Sequence, residues 1–324
     1  MEVKNVLTMK RRDKMGKIVG HVSFSLMRYY MLIIIGYIVL YPLIYMISTA
    51  IKPRKALLDV SFAWIPKYFT GEHFVTAFDA MNFFPALGRT FSLQIVSALI
   101  EVFVCAVIAY GFARFNFKGK KLAMTFLILS LLIPVPMYSL SLSVNYRQLD
   151  VFGILGLFNT ITGIDIRPDI YNTNWTMWLP SLFGVGIRSG ILIYIYIQFF
   201  SGLPYELEDA AYVDGAGPIR TFFSIALPSS SVVIVTVTVL SFIWHWNETH
   251  LSSLCFLNDT APLSVVMFNF RKTLEALGMY LGSHPLAPSV VFAACLMFIA
   301  IPLVLYLILQ RKFVKSIDRV GITG

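Results

Sequence analysis

Apolar residues gather in six runs of about 20 or more, the length at which a helix rising about 1.5 Å per residue spans a hydrocarbon core roughly 30 Å thick. The runs cover residues 29 to 50, 87 to 113, 122 to 146, 181 to 202, 229 to 249 and 287 to 310, and they predict six transmembrane helices. The first follows the basic stretch "MKRRDKMGK", but it outlasts the apolar core of a signal peptide and no A-x-A site follows, so it is read as a retained helix. Inside the third run, "LLIPVPMYSL" contains Pro134 and Pro136. Each proline removes a backbone donor, which predicts a kink or local unwinding where neighbours satisfy the freed carbonyls. Such a break points to a cavity.

Composition sharpens the class. The chain is 57% hydrophobic and 13% charged, against about 25% charged in a soluble domain. The prediction is an all-α polytopic membrane protein. A net charge of +9 would suit nucleic acid, but the basic residues sit in short segments beside apolar runs, where positive-inside topology accounts for them. No nucleic-acid partner is expected; the lipid bilayer is. Cys105, Cys255 and Cys295 are far apart and form no CxxC, so they read as small apolar side chains rather than a disulfide framework or a metal cage.

Lys and Arg near the run ends set the orientation. Lys4, Lys10, Arg11, Arg12, Lys14, Lys17 and Arg28 precede the first run, Arg114, Lys118, Lys120 and Lys121 follow the second, and Arg311, Lys312, Lys315 and Arg319 follow the sixth. With six spans these segments share one side, which the positive-inside rule makes cytoplasmic, outvoting Lys52, Arg54 and Lys55 on the other. Both termini are then inside. No internal repeat is visible, so the organisation predicted is a basic N-terminal segment (1–28), a first helix with its external connection (29–86), a five-span core (87–310) and a cytoplasmic tail (311–324).

The segment between spans four and five, "PYELEDAAYVDGAGPIRTFFSIALP", is cytoplasmic on this topology and carries the acids Glu206, Glu208, Asp209 and Asp214. Pro204 suits a first helical turn, and Glu206, Glu208 and Asp209 follow where the positive end of a helix favours carboxylates. Leu203, Leu207, Ala210 and Ala211 would form one apolar stripe, and Asp214-Gly215 supplies a stop that tolerates a left-handed residue. A second short helix would carry Phe222, Phe223, Ile225 and Leu227 until Pro228 ends it. From pattern alone, two small helices at a turn are either an elbow resting on lipid headgroups or a docking element.

A resemblance bears on that choice. "EDAAYVDGAGPIRTFFSIALP" resembles the EAA loop of binding-protein-dependent ABC importer permeases, with the pattern E-A-A, three residues, G, nine residues, I, one residue, L-P. Asp209, Ala210 and Ala211 take the E-A-A places, Gly215 (followed by Ala216) the glycine, and Ile225, Leu227 and Pro228 the end; Asp209 keeps the family's charge one methylene shorter. "LGLFNT" at 155 to 160, "FIWHWNE" at 242 to 248 and "LQRKFVKSI" at 309 to 317 resemble the carbohydrate branch, and the maltose-type second permease in particular. The stretch "ITGIDIRPDIYNTNWTMWLP" reads as longer than that branch's usual outward connection. The resemblance implies a subunit of a bacterial inner-membrane importer that takes up an oligosaccharide. Its partners would be a second, different permease, two ATPase subunits and an extracytoplasmic sugar-binding protein. The chain has no G-x-x-x-x-G-K-[ST], so ATP and Mg would belong to the ATPase subunits, no cofactor is expected here, and the acidic loop would be the coupling element.

The candidate sugar path is drawn from residue types. Tyr138, Ser141 and Asn145 in span three, Tyr194 and Gln198 in span four, and Trp244, Asn247 and Glu248 in span five offer aromatic platforms and hydrogen-bonding groups that suit a sugar's C–H faces and hydroxyls. Each taken singly is equally an interfacial-belt or packing residue. Trp244 and Trp246 lie about 200° apart on a helix, so only one faces a cavity. Trp244 is the choice because Asn247 and Glu248 share its face. Glu101 is near the middle of span two, where a carboxylate costs about 2.5–3.5 kcal/mol and needs a partner or water. It leaves open a proton-coupled secondary transporter, although the sequence offers no evident second buried acid and that reading does not explain the EAA spacing. His245, Glu248 and His250 are the nearest approach to a metal cluster, without H-E-x-x-H spacing.

Overall fold

The computed structural model describes residues 2–57, 68–279 and 287–320, and every regular element among them is helical. Ser23–Ala50, Phe83–Arg114 and Ala287–Gln310 are long and apolar enough to cross a membrane, and the count is five if each of two bent helix pairs is one span. The first helix continues back to Glu2 and the last continues to Val320, so the described parts of the predicted basic segment and tail, 2–28 and 311–320, extend the helices they flank. Part of the predicted first external connection, 58–67, lies outside the described residues.

The third run is broken as its prolines predict. Lys120–Leu132 and Val135–Asn145 meet at 103°. Ile133 has ψ 113° because the Pro134 ring drives the residue before it out of the helical region, and Pro134 itself, with ψ 138°, stands extended before the next helix. The fourth run departs from expectation. In place of one helix over 181–202, Trp175–Leu182 ends, residues 183–188 run without helix, and Ser189–Ser201 follows. Gly184 (φ 68°) and Arg188 (φ 57°) in this break are left-handed. The fifth run also differs at its start, since Pro228 does not end the preceding helix. It sits in the first turn of Leu227–Ser229, where its missing N–H is tolerated, and the 79° bend falls at Ser230.

The chain forms two compact units. In the first, residues 1–75 with 280–296, Thr70 N–H donates to Ile51 C=O at 2.9 Å and the Tyr45 ring meets Phe292 edge-on. In the second, residues 76–279 with 297–324, Val96–Arg114 is the central helix and packs on Ser189–Ser201, Ser231–Trp246 and Trp175–Leu182. Cys105, Ala106 and Ala109 lie fully buried against Leu192, Tyr196 and Val237. In a membrane, where lipid is as apolar as leucine, small side chains of this kind let helices approach and gain dispersion contacts. The three cysteines are free and two are buried, in keeping with a packing role.

Candidate functional site

Two constellations sit at different places along the central helix. The first is the acidic loop. Its first helix runs Glu206–Val213 and closes on Gly215 at φ 81°. Gly215 N–H donates to Tyr212 C=O at 3.0 Å and Ala216 N–H to Ala211 C=O at 2.9 Å. These are the paired bonds of a Schellman cap, which requires a left-handed residue where Gly215 stands. Pro218 then opens the next helix.

This loop is clamped to the bundle rather than laid across it. Glu208 is 4% exposed; its Oε1 accepts from Arg114 Nε at 2.8 Å and its Oε2 from Tyr110 Oη at 3.1 Å. A second arm of Arg114 reaches the Leu203 carbonyl at 2.8 Å, and Tyr205 lies under the guanidinium. Phe222 is buried against Tyr110 and Phe200, with ring centres 5.0 and 6.4 Å away. The single stripe expected of Leu203, Leu207, Ala210 and Ala211 is therefore corrected. Leu203 precedes the helix and Ala211 faces inward beside Glu208, while Leu207 and Ala210 face outward with Val213 and Ile219. Arg114 causes this, since its charge draws Glu208 to the inner side. Glu206, Asp209, Asp214 and Pro228 are exposed, and Ala216, Ile225 and Leu227 half-buried.

The second constellation surrounds Glu101, which is fully buried. Oε1 accepts from the Ser189 hydroxyl, and Oε2 accepts from Ser241 Oγ at 2.9 Å and pairs with His245 Nε2 at 3.0 Å. An ionised carboxylate only accepts, so with Glu101 charged Nε2 carries its hydrogen. Charge-assisted bonds of about 1.5–3 kcal/mol each offset the insertion cost of one carboxylate. The same residue shapes the break in the fourth run: a Cβ on Gly186 would stand 2.8 Å from Glu101 Oε1 and 2.9 Å from Ser181 Oγ. Only glycine lets the irregular backbone lie this close. His245, read from sequence beside a metal pattern, is thus a partner of Glu101. Among the described residues no group of three metal-ligating side chains occurs.

In front of this network opens a cleft of about 1060 Å³, walled by Pro134, Tyr138, Arg188, Trp244, Asn247 and Glu248 among others. Irregular backbone at membrane depth is tolerated where it lines such a space. Of the residues proposed for a sugar path, Tyr138, Trp244, Asn247 and Glu248 are brought together here, and Glu101 lies behind Gly186. Ser141, Asn145, Tyr194 and Gln198 are exposed elsewhere and line no part of the cleft. Trp246 is fully buried, stacked on Phe242 with ring centres 5.7 Å apart and tilted against Phe298 at 5.3 Å. Trp246→Ala is expected to cost about 3–5 kcal/mol of stability by cavity formation, whereas Trp244→Ala, at the cleft wall, is expected to leave the fold intact. Thermal unfolding of the two purified variants checks the order. Arg188 and Arg114 were not among the site residues expected from sequence; a lone cation inside an apolar run was the available signal for Arg188.

Outside the bundle, the longer stretch at 161–180 is tied back by Ile170 N–H to Tyr146 C=O at 2.9 Å and by Leu149 N–H to Pro168 C=O at 3.0 Å. Arg167 hydrogen-bonds Asp165 and holds its carboxyl down at about 2. This lowering adds stability above the ordinary carboxylate range that is lost only as pH falls toward that value, and the pair's exposure keeps it small.

Known proteins share this architecture. The trehalose transport system permease protein SugB of Mycobacterium tuberculosis is 28% identical over 90% of this chain and 95% of its own length. The galactooligosaccharides transport system permease protein GanQ of Bacillus subtilis is 26% identical over 92% and 95%. A chain of a bacterial ABC transporter involved in the import of the acidic polysaccharide alginate has the same fold, with a TM-score of 0.65 at 17% identity, covering 90% of this chain and 96% of that one. Residues 102–319 match the family described as binding-protein-dependent transport system inner membrane component, and the chain belongs to that family.

Proposed function

We propose that this permease is one of two different membrane subunits of an ATP-driven importer that takes up an oligosaccharide handed over by an extracytoplasmic binding protein. Relatives named for trehalose, galactooligosaccharides and diacetylchitobiose support the sugar class. The observation that carries the reading is the acidic loop. Its Schellman-capped helix is locked by Arg114 and Phe222 to the central span, while Leu207, Ala210, Val213 and Ile219 remain outward as an apolar face. A face held this rigidly moves with the bundle when an ATPase subunit moves. Two ATPase subunits would supply ATP and Mg; this chain supplies the path and the lever. The chain is read as a multi-pass protein of the bacterial inner membrane.

Six spans with both termini in the cytoplasm make up the topology, the broken fourth run counting as one. The Arg114–Glu208 pair supports it, because it joins the end of the second span to the loop after the fourth. Lys121→Cys and Phe313→Cys are expected to react with an impermeant thiol reagent from the cytoplasmic side alone, and Asp165→Cys from the outside alone. Reversed labelling would remove the docking role of the loop together with the topology. Purification after gentle solubilisation tests the assembly: a second permease and two copies of an ATPase should accompany this chain, and sugar-loaded binding protein should raise ATP hydrolysis. A chain that purifies alone and moves solute on a proton gradient without ATP would refute the reading.

A further inference from the structure

Arg188 stands at the start of the Ser189–Ser201 helix with φ 57° and ψ 24°. A long side chain seldom adopts this left-handed conformation, and its persistence points to a constraint imposed for a purpose. The helix it precedes has 13 residues, a length of about 20 Å at about 1.5 Å per residue. On the topology proposed above, Arg188 is therefore held within a hydrocarbon core roughly 30 Å thick, where a guanidinium is costly unless water or an anion meets it. Its Cζ lies 5.1 Å from the centre of the Trp244 ring, and both residues line the cleft. The ring orients the cation without neutralising it.

No carboxylate among the described residues pairs with this guanidinium, whereas Arg114 in the same unit holds Glu208. The other titratable groups lining the cleft are Tyr138, Glu248 and His250. Glu248 is 7% exposed and its Oε1 accepts from the Leu251 N–H at 2.7 Å, at the start of the following helix, His250–Cys255. The cleft thus presents an oriented cation beside an aromatic face and the amide of Asn247, with room for several sugar rings.

We infer that the cleft takes an acidic saccharide, a sugar chain carrying a carboxylate, and that Arg188 is the residue that selects for it. The guanidinium receives the carboxylate in a two-pronged fork, and Trp244 stacks on the C–H face of a ring. A lysine in this place would keep the charge and lose the fork. The inference rests on the importer reading and adds the charge of the cargo to it.

The test uses the complete detergent-purified importer, titrated with a linear trigalacturonate and with its methyl ester, which has the same stereochemistry and no charge. Tryptophan fluorescence reads binding, and Trp244→Phe identifies the signal. The wild-type complex should bind the acid at least about tenfold more tightly than the ester. Arg188→Gln should bring that ratio near one, and Arg188→Lys should restore part of it. Equal binding of the two probes, binding of neither, or an unchanged ratio in Arg188→Gln overturns the inference. So does loss of the second permease from the Arg188→Gln complex, which would give the guanidinium to a subunit contact. The importer reading is judged separately, by ATP-driven sugar uptake in proteoliposomes. Uptake of neutral sugars alone defeats the inference and leaves that reading standing; no ATP-driven sugar uptake defeats both.

Discussion

Gly215→Val is expected to reduce ATP-driven uptake more than tenfold while the membrane helices stay folded. The reason is confined to the backbone. Gly215 has φ 81°, and a Cβ built there meets nothing within 4 Å, so the substitution creates no clash. What it creates is strain: a left-handed L-residue costs about 1–2 kcal/mol, and a β-branched one more. The chain relieves that strain by opening the Schellman cap, losing the bonds from Gly215 N–H to Tyr212 and from Ala216 N–H to Ala211. The angle between Glu206–Val213 and the helix opened by Pro218 then changes, and with it the outward placement of Leu207, Val213 and Ile219. Arg114–Glu208 and Phe222 still anchor the rest, which confines the damage to the docking face. Asparagine tolerates the left-handed region, so Gly215→Asn should keep most of the uptake. Wild-type uptake by an assembled Gly215→Val importer would show that the loop only turns the chain, and equal loss in both variants would show that strain is not the cause.

The parts of this architecture legible in the sequence are those in which one residue dictates its own backbone. Pro134 drives Ile133 out of the helix, and the 103° bend follows. Gly215 after Asp214 marks a left-handed stop, and the structure has one. Parts that depend on a distant partner were not legible. Which side of Glu206–Val213 turns inward is decided by Arg114, 94 residues earlier, so the acid is buried where the apolar stripe was expected. The break at 183–188 is hidden for a different reason. Leu182, Phe183, Val185 and Ile187 keep the run apolar enough to count as a span, and the need for Gly186 arises from Glu101 on another helix. His245 likewise shares a motif with Trp244 and Asn247 but serves that same carboxylate. Two further buried acids, Glu208 and Glu248, also became visible only through their partners. Each is bonded to a different group, Glu208 to Arg114 and Glu248 to the Leu251 N–H, so the three carboxylates are held in separate local networks.

Glu101→Ala should be the most destabilising single change at the centre of the bundle. It leaves the hydroxyls of Ser189 and Ser241 and the ring of His245 without their common acceptor, in a place with no access to water. Each buried donor left without an acceptor costs about 1–3 kcal/mol, and here the lost contacts also release the start of Ser189–Ser201 and the backbone at Gly186. A fall of many degrees in the thermal midpoint of the purified complex is expected, with uptake lost as a consequence. Glu101→Gln separates structure from proton chemistry. The amide has the same shape; its oxygen accepts one donor, serine hydroxyls rotate to accept from its nitrogen, and His245 can change tautomer to accept as well. The cost should be about 1 kcal/mol, and ATP-driven uptake should persist at a substantial fraction of wild type. A proton-coupled carrier would behave otherwise, because a glutamine neither binds nor releases the proton that such a carrier must move. A Glu101→Gln complex that melts like wild type and transports nothing would therefore overturn the structural role assigned to Glu101 and favour proton coupling through the Glu101–His245 pair.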